Sequence, residues 1–276
     1  MIEAVGAIGI HQDYFASVAR EASVGYLDRV FIDMMWYKAF SVWTLLHMGY
    51  NVLFQDVYLV WFRDPFPYFK DYINRTSTSS SSLGLNHGAV QARGRRQHPD
   101  AFFSDDGQRS LRYSPFYANS GFYYLYNTRA TRHFAWTVMM AFDVLQTTGS
   151  HQNVFTFRLN ENTDLAGVRP KLLDIREFPT GIMHHHDKRY MSAIREGTVR
   201  PYNFHMCWTA GKADKLIYFK ESAMWFVKDS CELAALDPVQ GVLSRRIKRL
   251  QAELRTTEDQ WDFVSNSCCD LAPVKK

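Results

Sequence analysis

The sequence lacks features that mark several large classes of protein. No apolar run reaches the roughly 18 residues that a transmembrane helix needs. The first ten residues contain no basic segment and include Glu3, so no secretory signal is expected there. The net charge is only +4 and is spread along the chain. Nucleic-acid-binding proteins usually concentrate basic residues in one stripe, so we expect no nucleic-acid partner, and membrane contact only through an anchor upstream of this sequence.

Cysteine is scarce as well. Cys207, Cys231, Cys268 and Cys269 form no C-x-x-C pair, which argues against a structural zinc site and leaves disulfides open. Apolar residues, in contrast, make up 46% of the 276 positions and aromatic residues 15%. A chain of this length and composition can bury a substantial core, and it predicts one large α/β domain.

The clearest local pattern is a helix, a glycine, a strand and an acidic turn in succession. Apolar residues recur every three or four positions over Val30–His47, which predicts a helix that Gly49 ends. The short apolar run Asn51–Phe54 predicts a strand buried on both faces. Asp56 follows at its carboxyl end, where open α/β sheets bind ligands, and Asp64 is expected to cap the next turn.

Beyond Asn74 the periodic spacing of apolar residues becomes less clear. From Asn74 to about Arg112 there is no convincing periodicity, which predicts a long flexible or functional loop. Regular elements are then predicted as strands at Ser120–Tyr126, Val168–Leu173 and Tyr202–Met206, and as helices at Thr131–Gln146, Gln152–Leu159 and Asp214–Val227. We assign residues 1–236 to the main domain and residues 237–276 to a C-terminal helix and tail. That helix has an apolar stripe opposite a basic face, which is either solvated or directed at an anionic membrane.

A strand-end carboxylate, a distant histidine and nearby lysines form a set suited to a hard divalent cation and an anionic ligand. Asp56, His205, Lys212 and Lys215 are the candidates. Considered alone, Asp56 could equally well cap the turn that follows it.

The segment from Gly49 to Pro65, GYNVLFQDVYLVWFRDP, is the most informative motif. It resembles the signature of the nucleotide-diphospho-sugar transferases related to glycosyltransferase family 77, G-Y-x-V-L-x-x-D-x-D-x-V-W-x-x-D-P. The resemblance spans roughly Phe15 to Cys231. Further matches follow in family order at Asp105–Gly107 with Arg109 and Arg112-Tyr113, Ala118–Tyr124, His151-Gln152, Phe178–Gly181, and Phe204–Trp208 through Lys212 and Lys215 to Trp225.

This resemblance implies a GT-A-like fold, in which helices flank a Rossmann-like mixed sheet. It also implies a hexosyl- or pentosyltransferase that uses Mn²⁺ or Mg²⁺ and a nucleotide-sugar donor, with a UDP-sugar favoured. The sugar would pass to a glycan or protein acceptor with retention of anomeric configuration. By the same resemblance, the protein is expected in the Golgi lumen or elsewhere in the secretory pathway.

The resemblance assigns roles at the phosphate end of the donor. Asp56 matches the first acid of the D-x-D element, near the ribose and the metal. His205 matches a late histidine that ligates the metal. Lys215 and Lys212 match lysines that approach the diphosphate, and Lys38 matches a basic residue directed at the nucleotide.

At the sugar end, Asn119 and Gly121 match the segment that lines the donor sugar, and Gln152 matches a residue close to the anomeric centre. Simpler interpretations remain for some of these. Asn119 could form a turn into a strand, and Gln152 could be an ordinary N-terminal helix residue. We expect Trp208 to belong to the core rather than to a sugar platform.

An acidic pair and a run of histidines allow only weaker predictions. The Asp105–Asp106 pair is either a solvated loop or part of a loop that closes over the donor or acceptor. His184–His186 is taken as extended chain, in which neighbouring side chains point to opposite faces, so the three histidines cannot ligate one ion.

Three features depart from the family pattern. Tyr58 replaces the second acid of the D-x-D element, and a neutral phenol is a poor ligand for a hard dication. His151 replaces the acid before Gln152. The first strand–helix unit, which normally receives the base, is not recognisable before Val30. Tyr58 and the unrecognisable first unit support an alternative function, a catalytically impaired GT-A scaffold that binds sugar nucleotides or serves as a partner subunit.

Overall fold

The computed structural model describes Ser23 and residues 28–79, 98–107 and 117–225, without the side chains of residues 74–79 and Lys212. The chain divides into two compact units. One unit is Val18–Tyr218, and the other joins Met1–Ser17 to Phe219–Lys276. Only residues 219–225 of the second unit are described. The boundary predicted at residue 236 and the C-terminal helix lie outside the described residues, so both stay predictions.

The described part contains eight helices and six strands. The helices are α1 (Arg29–His47), α2 (Phe66–Ser79), α3 (Arg129–Met139), α4 (Phe142–Thr148), α5 (His151–Leu165), α6 (Gly181–His186), α7 (Lys188–Arg195) and α8 (Lys212–Glu221). The strands are β1 (Val52–Gln55), β2 (Leu59–Trp61), β3 (Ala101–Asp105), β4 (Ala118–Leu125), β5 (Pro170–Leu172) and β6 (Asn203–His205). Among these residues no helix is long and apolar enough to cross a membrane.

The strands form one mixed sheet and one small ribbon. The sheet has the order β1-β4-β3-β5, and only the β3–β5 pair is parallel. The ribbon pairs β2 with β6 in antiparallel register. The predicted mixed α/β architecture with flanking helices is therefore confirmed.

Both faces of the sheet are covered, as β4 illustrates. All eight β4 residues are buried, and successive side chains point to opposite faces. Tyr123 and Leu125 pack in the core cluster that contains α1, α3 and α5, whereas Phe122 and Tyr124 pack with Phe69 of α2. This two-sided burial explains why apolar and aromatic residues follow one another without alternation over Phe122–Leu125.

The helix and strand before the acidic turn form as predicted. Asp28 caps α1, because its side chain accepts a hydrogen bond from Val30 N at 3.3 Å. Gly49 adopts a positive φ of 99° after the helix, a conformation that glycine reaches at no steric cost. Asp64 accepts a hydrogen bond from Phe66 N at 3.0 Å, which confirms its capping role.

The prediction of a long loop from Asn74 to about Arg112 is wrong in two places. Helix α2 continues to Ser79, although its last residues are Ser and Thr, which favour caps and turns. Strand β3 lies between β4 and β5 within the sheet. Its run of five buried residues has no alternation, and so short a run gives no periodic signal. Residues 80–97 and 108–116 lie outside the described residues.

Several helix boundaries also differ from those predicted. The single helix predicted at Thr131–Gln146 is two helices, because Ala141 leaves the helical backbone with ψ of 38° and precedes α4. The helix predicted to reach Val227 ends at Glu221, and Ala223 has a positive φ of 55° just after it. The short strand β2 and the helices α6 and α7 were not predicted, since each is too short to show a reliable period.

Candidate functional site

A cleft of about 300 Å³ opens beside the end of β1. Its walls come from α1, the turn after β1, the end of β3, the start of β4, the start of α5, the end of β6 with the segment that follows, and α8. The lining residues are Phe31, Met35, Lys38, Asp56, Tyr58, Asp106, Asn119, Ser120, Gly121, Ser150, His151, Gln152, His205, Cys207, Trp208, Thr209 and Lys215.

Asp56 reaches this cleft because β1 pairs with β4. The backbone N–H of Asp56 donates to Gly121 O at 2.7 Å, one residue beyond the end of β1. Gly121 must be a glycine for this approach. A Cβ added there would lie 2.5 Å from Asp56 Oδ2 and 2.5 Å from His205 Cε1, well inside van der Waals contact. The residue type at position 121 thus allows the carboxylate and the imidazole to meet.

The ribbon brings Tyr58 and His205 together. Leu59 of β2 lies opposite His205 of β6, and Met206 N donates to Tyr58 O at 3.1 Å. The Tyr58 and His205 rings stack with centroids 5.3 Å apart and planes 18° apart. Residues separated by nearly 150 positions therefore form one surface beside Asp56.

The Asp56 carboxylate is engaged at both oxygens. Lys38 Nζ donates to Oδ1 at 2.9 Å, and the Tyr58 hydroxyl donates to Oδ2 at 2.6 Å. His205 Nε2 lies 3.9 Å from the same Oδ2, beyond hydrogen-bonding distance. The Lys38 side chain is 8% exposed and that of Asp56 is 18% exposed, so this ion pair is largely shielded from water.

Burial controls the charge of the basic groups in the cleft. It lowers the pKa of Lys38, and the ion pair with Asp56 opposes that shift. Burial lowers the pKa of His205 to about 4 despite the attraction of Asp56, so the imidazole is neutral at pH 7. It lowers the pKa of Lys215 to about 8, again against the attraction of Asp56. Lys215 therefore remains mostly protonated near neutral pH.

Tyr58 also supports Lys215. Lys215 Nζ lies 3.0 Å from the centroid of the Tyr58 ring, in the geometry of a cation–π contact. One tyrosine thus bonds Asp56 through its hydroxyl and holds an ammonium group on its ring face.

Asn119 and Gln152 both hold the start of β4. Asn119 donates from Nδ2 to Asp106 Oδ1 at 2.6 Å and accepts from Gly121 N at 2.7 Å. Gln152 Oε1 accepts from Ser120 N at 2.8 Å, and its Nε2 donates to Ala118 O. The amide of Gln152 therefore clamps β4 to the first turn of α5, and its role near an anomeric carbon stays a prediction.

Two residues that line the cleft differ in burial from what the sequence predicted. Asp106 was predicted in a solvated loop or a closing loop, but it is only 9% exposed. Burial raises its pKa to about 6, although hydrogen bonds with Asn119 and Trp208 oppose the shift. Trp208 was expected in the core, and it is instead 38% exposed and lines the cleft.

Trp208 is held in an unusual conformation. Its φ of 61° lies in the left-handed region, which is costly for a large side chain. His185 Nε2 lies 2.8 Å from Trp208 O. A Cβ on Gly181 would lie 1.8 Å from Cys207 O, so the glycine of the Phe178–Gly181 motif is what lets this segment approach α6. In the sequence, Gly181 of this motif was the one indication that the segment with Trp208 packs closely here.

The assignment of His184–His186 to extended chain is wrong, since these residues form the last turn of α6. On a helix successive side chains diverge by about 100°, so the three still do not face one ion. The His184 ring packs against the Tyr218 ring, with centroids 4.8 Å apart and planes tilted by 37°, which gives it a packing role.

A divalent cation does not fit this cluster well. In nucleotide sites such ions are held by one or two carboxylates together with water and the phosphates themselves, and here Asp56 is the carboxylate available. Asp56 already accepts bonds from Lys38 and Tyr58. The buried ring nitrogens of His205 lack a hydrogen-bond partner, the one observation that favours a ligand. Within the described ranges no group of three or more His, Cys, Asp or Glu side chains could hold a metal ion.

The cleft brings together nearly all the residues predicted from the sequence. These are Lys38, Asp56, Asn119, Gly121, Gln152, His205 and Lys215. Lys212 begins α8, but its side chain lies outside the described residues. The site roles of all these residues stay predictions.

Comparison with known proteins gives one result. The family model described as nucleotide-diphospho-sugar transferase matches residues 7–219, a range that includes every residue of the cleft. No curated protein and no solved structure matches the chain significantly. The mixed sheet with flanking helices is consistent with the GT-A-like fold expected for that family. The chain belongs to the nucleotide-diphospho-sugar transferase family.

Proposed function

We propose that this protein transfers a sugar from a nucleotide-diphospho-sugar donor to a glycan or protein acceptor. Family membership supports a glycosyltransferase-type function. The observation that carries the proposal is the convergence of Lys38, Asp56, Asn119 and Lys215 on one cleft. Cations and amide groups in a partly shielded cleft suit a diphosphate and a sugar, which offer anionic and hydroxyl groups respectively.

In this proposal the donor lies along the cleft, with the diphosphate near Lys215 and Lys38 and the sugar near Asn119 and Gly121. The GT77 relation, retention of configuration, the UDP-sugar, hexosyl or pentosyl transfer and the Golgi location are further parts of the proposal, and they rest on the sequence resemblance. The same resemblance leads one to expect assistance by Mn²⁺ or Mg²⁺ through Asp56 and His205, but the cluster does not fit such an ion well, so metal assistance is not part of the proposal.

A second candidate is a scaffold that binds sugar nucleotides without turnover. The hydrogen bond between the Tyr58 hydroxyl and Asp56 Oδ2 favours it, because it occupies a carboxylate oxygen of the D-x-D element. Such a protein would still bind nucleotides through the same lysines.

The test is donor hydrolysis and nucleotide-dependent thermal shift with a panel of UDP- and GDP-sugars, with and without Mn²⁺. Wild type is compared with Asp56→Asn, which keeps the shape of the side chain and removes its charge. Asp71→Asn is the matched control, since Asp71 is exposed on α2 and does not line the cleft.

Turnover by wild type and Asp71→Asn, and its loss in Asp56→Asn, would support the transferase. Binding without turnover for every donor would favour the scaffold. Absence of any donor binding by wild type would refute both candidates.

A further inference from the structure

The Asp56 carboxylate is bonded by a lysine and by a tyrosine hydroxyl. Its Oδ1 accepts from Lys38 Nζ at 2.9 Å, and its Oδ2 accepts from the Tyr58 hydroxyl at 2.6 Å. A dication on Asp56 would have to displace one of these donors or crowd beside it. Both hydrogen bonds are short, and the Lys38–Asp56 pair is largely shielded from water, so each oxygen of the carboxylate already has a protein donor.

The charged groups of the cleft are paired unevenly. Lys38 and Lys215 both line the cleft, and Asp56 forms its ion pair with Lys38 at 2.9 Å rather than with Lys215. The other carboxylate that lines the cleft, Asp106, accepts a hydrogen bond from Asn119 Nδ2 at 2.6 Å. Lys215 is therefore placed to bond an anionic diphosphate, which an ammonium group attracts and a dication does not replace.

The Tyr58 ring positions Lys215 so that its ammonium group supplies the positive charge that a metal ion would supply. The position two residues after Asp56 would carry a carboxylate ligand in a D-x-D element, and here it carries an aromatic ring. Lys215 Nζ lies 3.0 Å from the centroid of that ring. The ring contact fixes the ammonium group beside the Asp56 pair, and no metal is needed to hold a positive charge at this end of the cleft.

We propose that the cleft binds the diphosphate of a nucleotide sugar without a divalent cation, with Lys215 held on the Tyr58 ring as the group that contacts the phosphates. This inference rests on the proposed function, since it concerns the donor of the same site. It differs from the expectation that Asp56 and His205 hold Mn²⁺.

The experiment measures binding of UDP, GDP and ADP to the full 276-residue chain by calorimetry, once in EDTA and once in Mn²⁺. For the nucleotide that binds most tightly, the dissociation constants in EDTA and in Mn²⁺ are expected to agree within about twofold. Lys215→Met is expected to weaken binding about tenfold or more, as for one lost charge-assisted hydrogen bond. Lys220→Met, an exposed lysine on the same helix that does not line the cleft, is the matched control and should bind as wild type does.

Substitutions of Tyr58 distinguish a site in which Lys215 binds the phosphates from a site that depends on Mn²⁺. Tyr58→Phe keeps the ring under Lys215 and should still bind the nucleotide in EDTA. Tyr58→Asp removes the ring and restores a second carboxylate, so its binding should become dependent on Mn²⁺. If Tyr58→Asp does not fold, the Tyr58→Phe result and the EDTA comparison for wild type decide the question.

The outcomes distinguish the inference from the proposed function. Nucleotide binding by wild type only in Mn²⁺ would overturn the inference and leave the transferase proposal intact. Equal binding by Lys215→Met and wild type in EDTA would also overturn it. If wild type bound no nucleotide in either buffer, the proposed function itself would fail.

Discussion

The close approach of Gly121 to Asp56 and His205 gives a sharp test of the site. In Gly121→Ala the new Cβ would lie 2.5 Å from Asp56 Oδ2, 2.5 Å from His205 Cε1 and 2.9 Å from His205 Nε2. Ordinary contact begins near 3.4 Å, so Asp56 Oδ2 and the His205 ring edge must each retreat by about 0.9 Å, or β4 must shift.

Neither neighbour can retreat cheaply. Asp56 is bonded at both oxygens, and His205 is 1% exposed with Tyr58 stacked on its face. Overpacking of this kind costs about 1–3 kcal/mol. For a domain of this size we therefore expect a fall in Tm of roughly 2–12 °C. Nucleotide binding should weaken more than stability alone requires, because the displaced groups line the cleft.

The assay is thermal unfolding with and without UDP or GDP, together with calorimetric binding. Gly211→Ala is the matched control, since a Cβ there would meet only Asp214 at 3.5 Å or more, and it should leave Tm and affinity unchanged. A Gly121→Ala protein with wild-type Tm and wild-type nucleotide affinity would refute the proposed placement of Asp56 and His205.

Three further predictions follow from the same cluster and its surroundings. Lys38→Met removes the lysine from Asp56 and leaves the Tyr58 hydroxyl bonded to it; it should lower the free energy of unfolding by about 3 kcal/mol in urea titrations, the low end for a broken buried ion pair, and Asp56→Asn in the Lys38→Met background should restore part of it. An additive double variant would contradict direct pairing. Because burial raises the folded-state pKa of Asp106 to about 6, above the unfolded value near 4, stability should fall by about 3 kcal/mol as pH rises from about 4 to above 6. Asp106→Asn should remove that dependence, and an unchanged pH profile in the variant would exclude Asp106 as its source. Desolvation raises the pKa of the partly buried Cys207 thiol to about 12, so iodoacetamide at pH 8 should alkylate Cys207 slowly in the native protein and readily after denaturation, as followed by peptide mass spectrometry. Equally rapid labelling of the native and the denatured protein would contradict the raised pKa.

The sequence determined the local frame of the site. The helix at Val30–His47, the strand after it and the acid at its carboxyl end were all predictable, because helical periodicity, a C-terminal glycine and a buried apolar run are local signals. The motif around Asp56 also led to the family, which the match over residues 7–219 confirms. Strand β3 was not predictable, since five consecutive buried residues within a polar region show no period.

The tertiary structure decided how the candidate residues relate to one another. Asp56 and Tyr58 were placed by motif, but only the pairing of β2 with β6 brings His205 onto the Tyr58 ring. Only the packing of α1 beside β1 brings Lys38 to Asp56. In the sequence, Tyr58 only marks the loss of the second acid of the D-x-D element. In the folded chain its hydroxyl donates a hydrogen bond to Asp56 and its ring contacts Lys215. Such contacts join residues far apart in the chain, and no local propensity encodes their distances. The sequence therefore determined the family and the acid at the strand end, whereas tertiary packing decided which charges surround that acid.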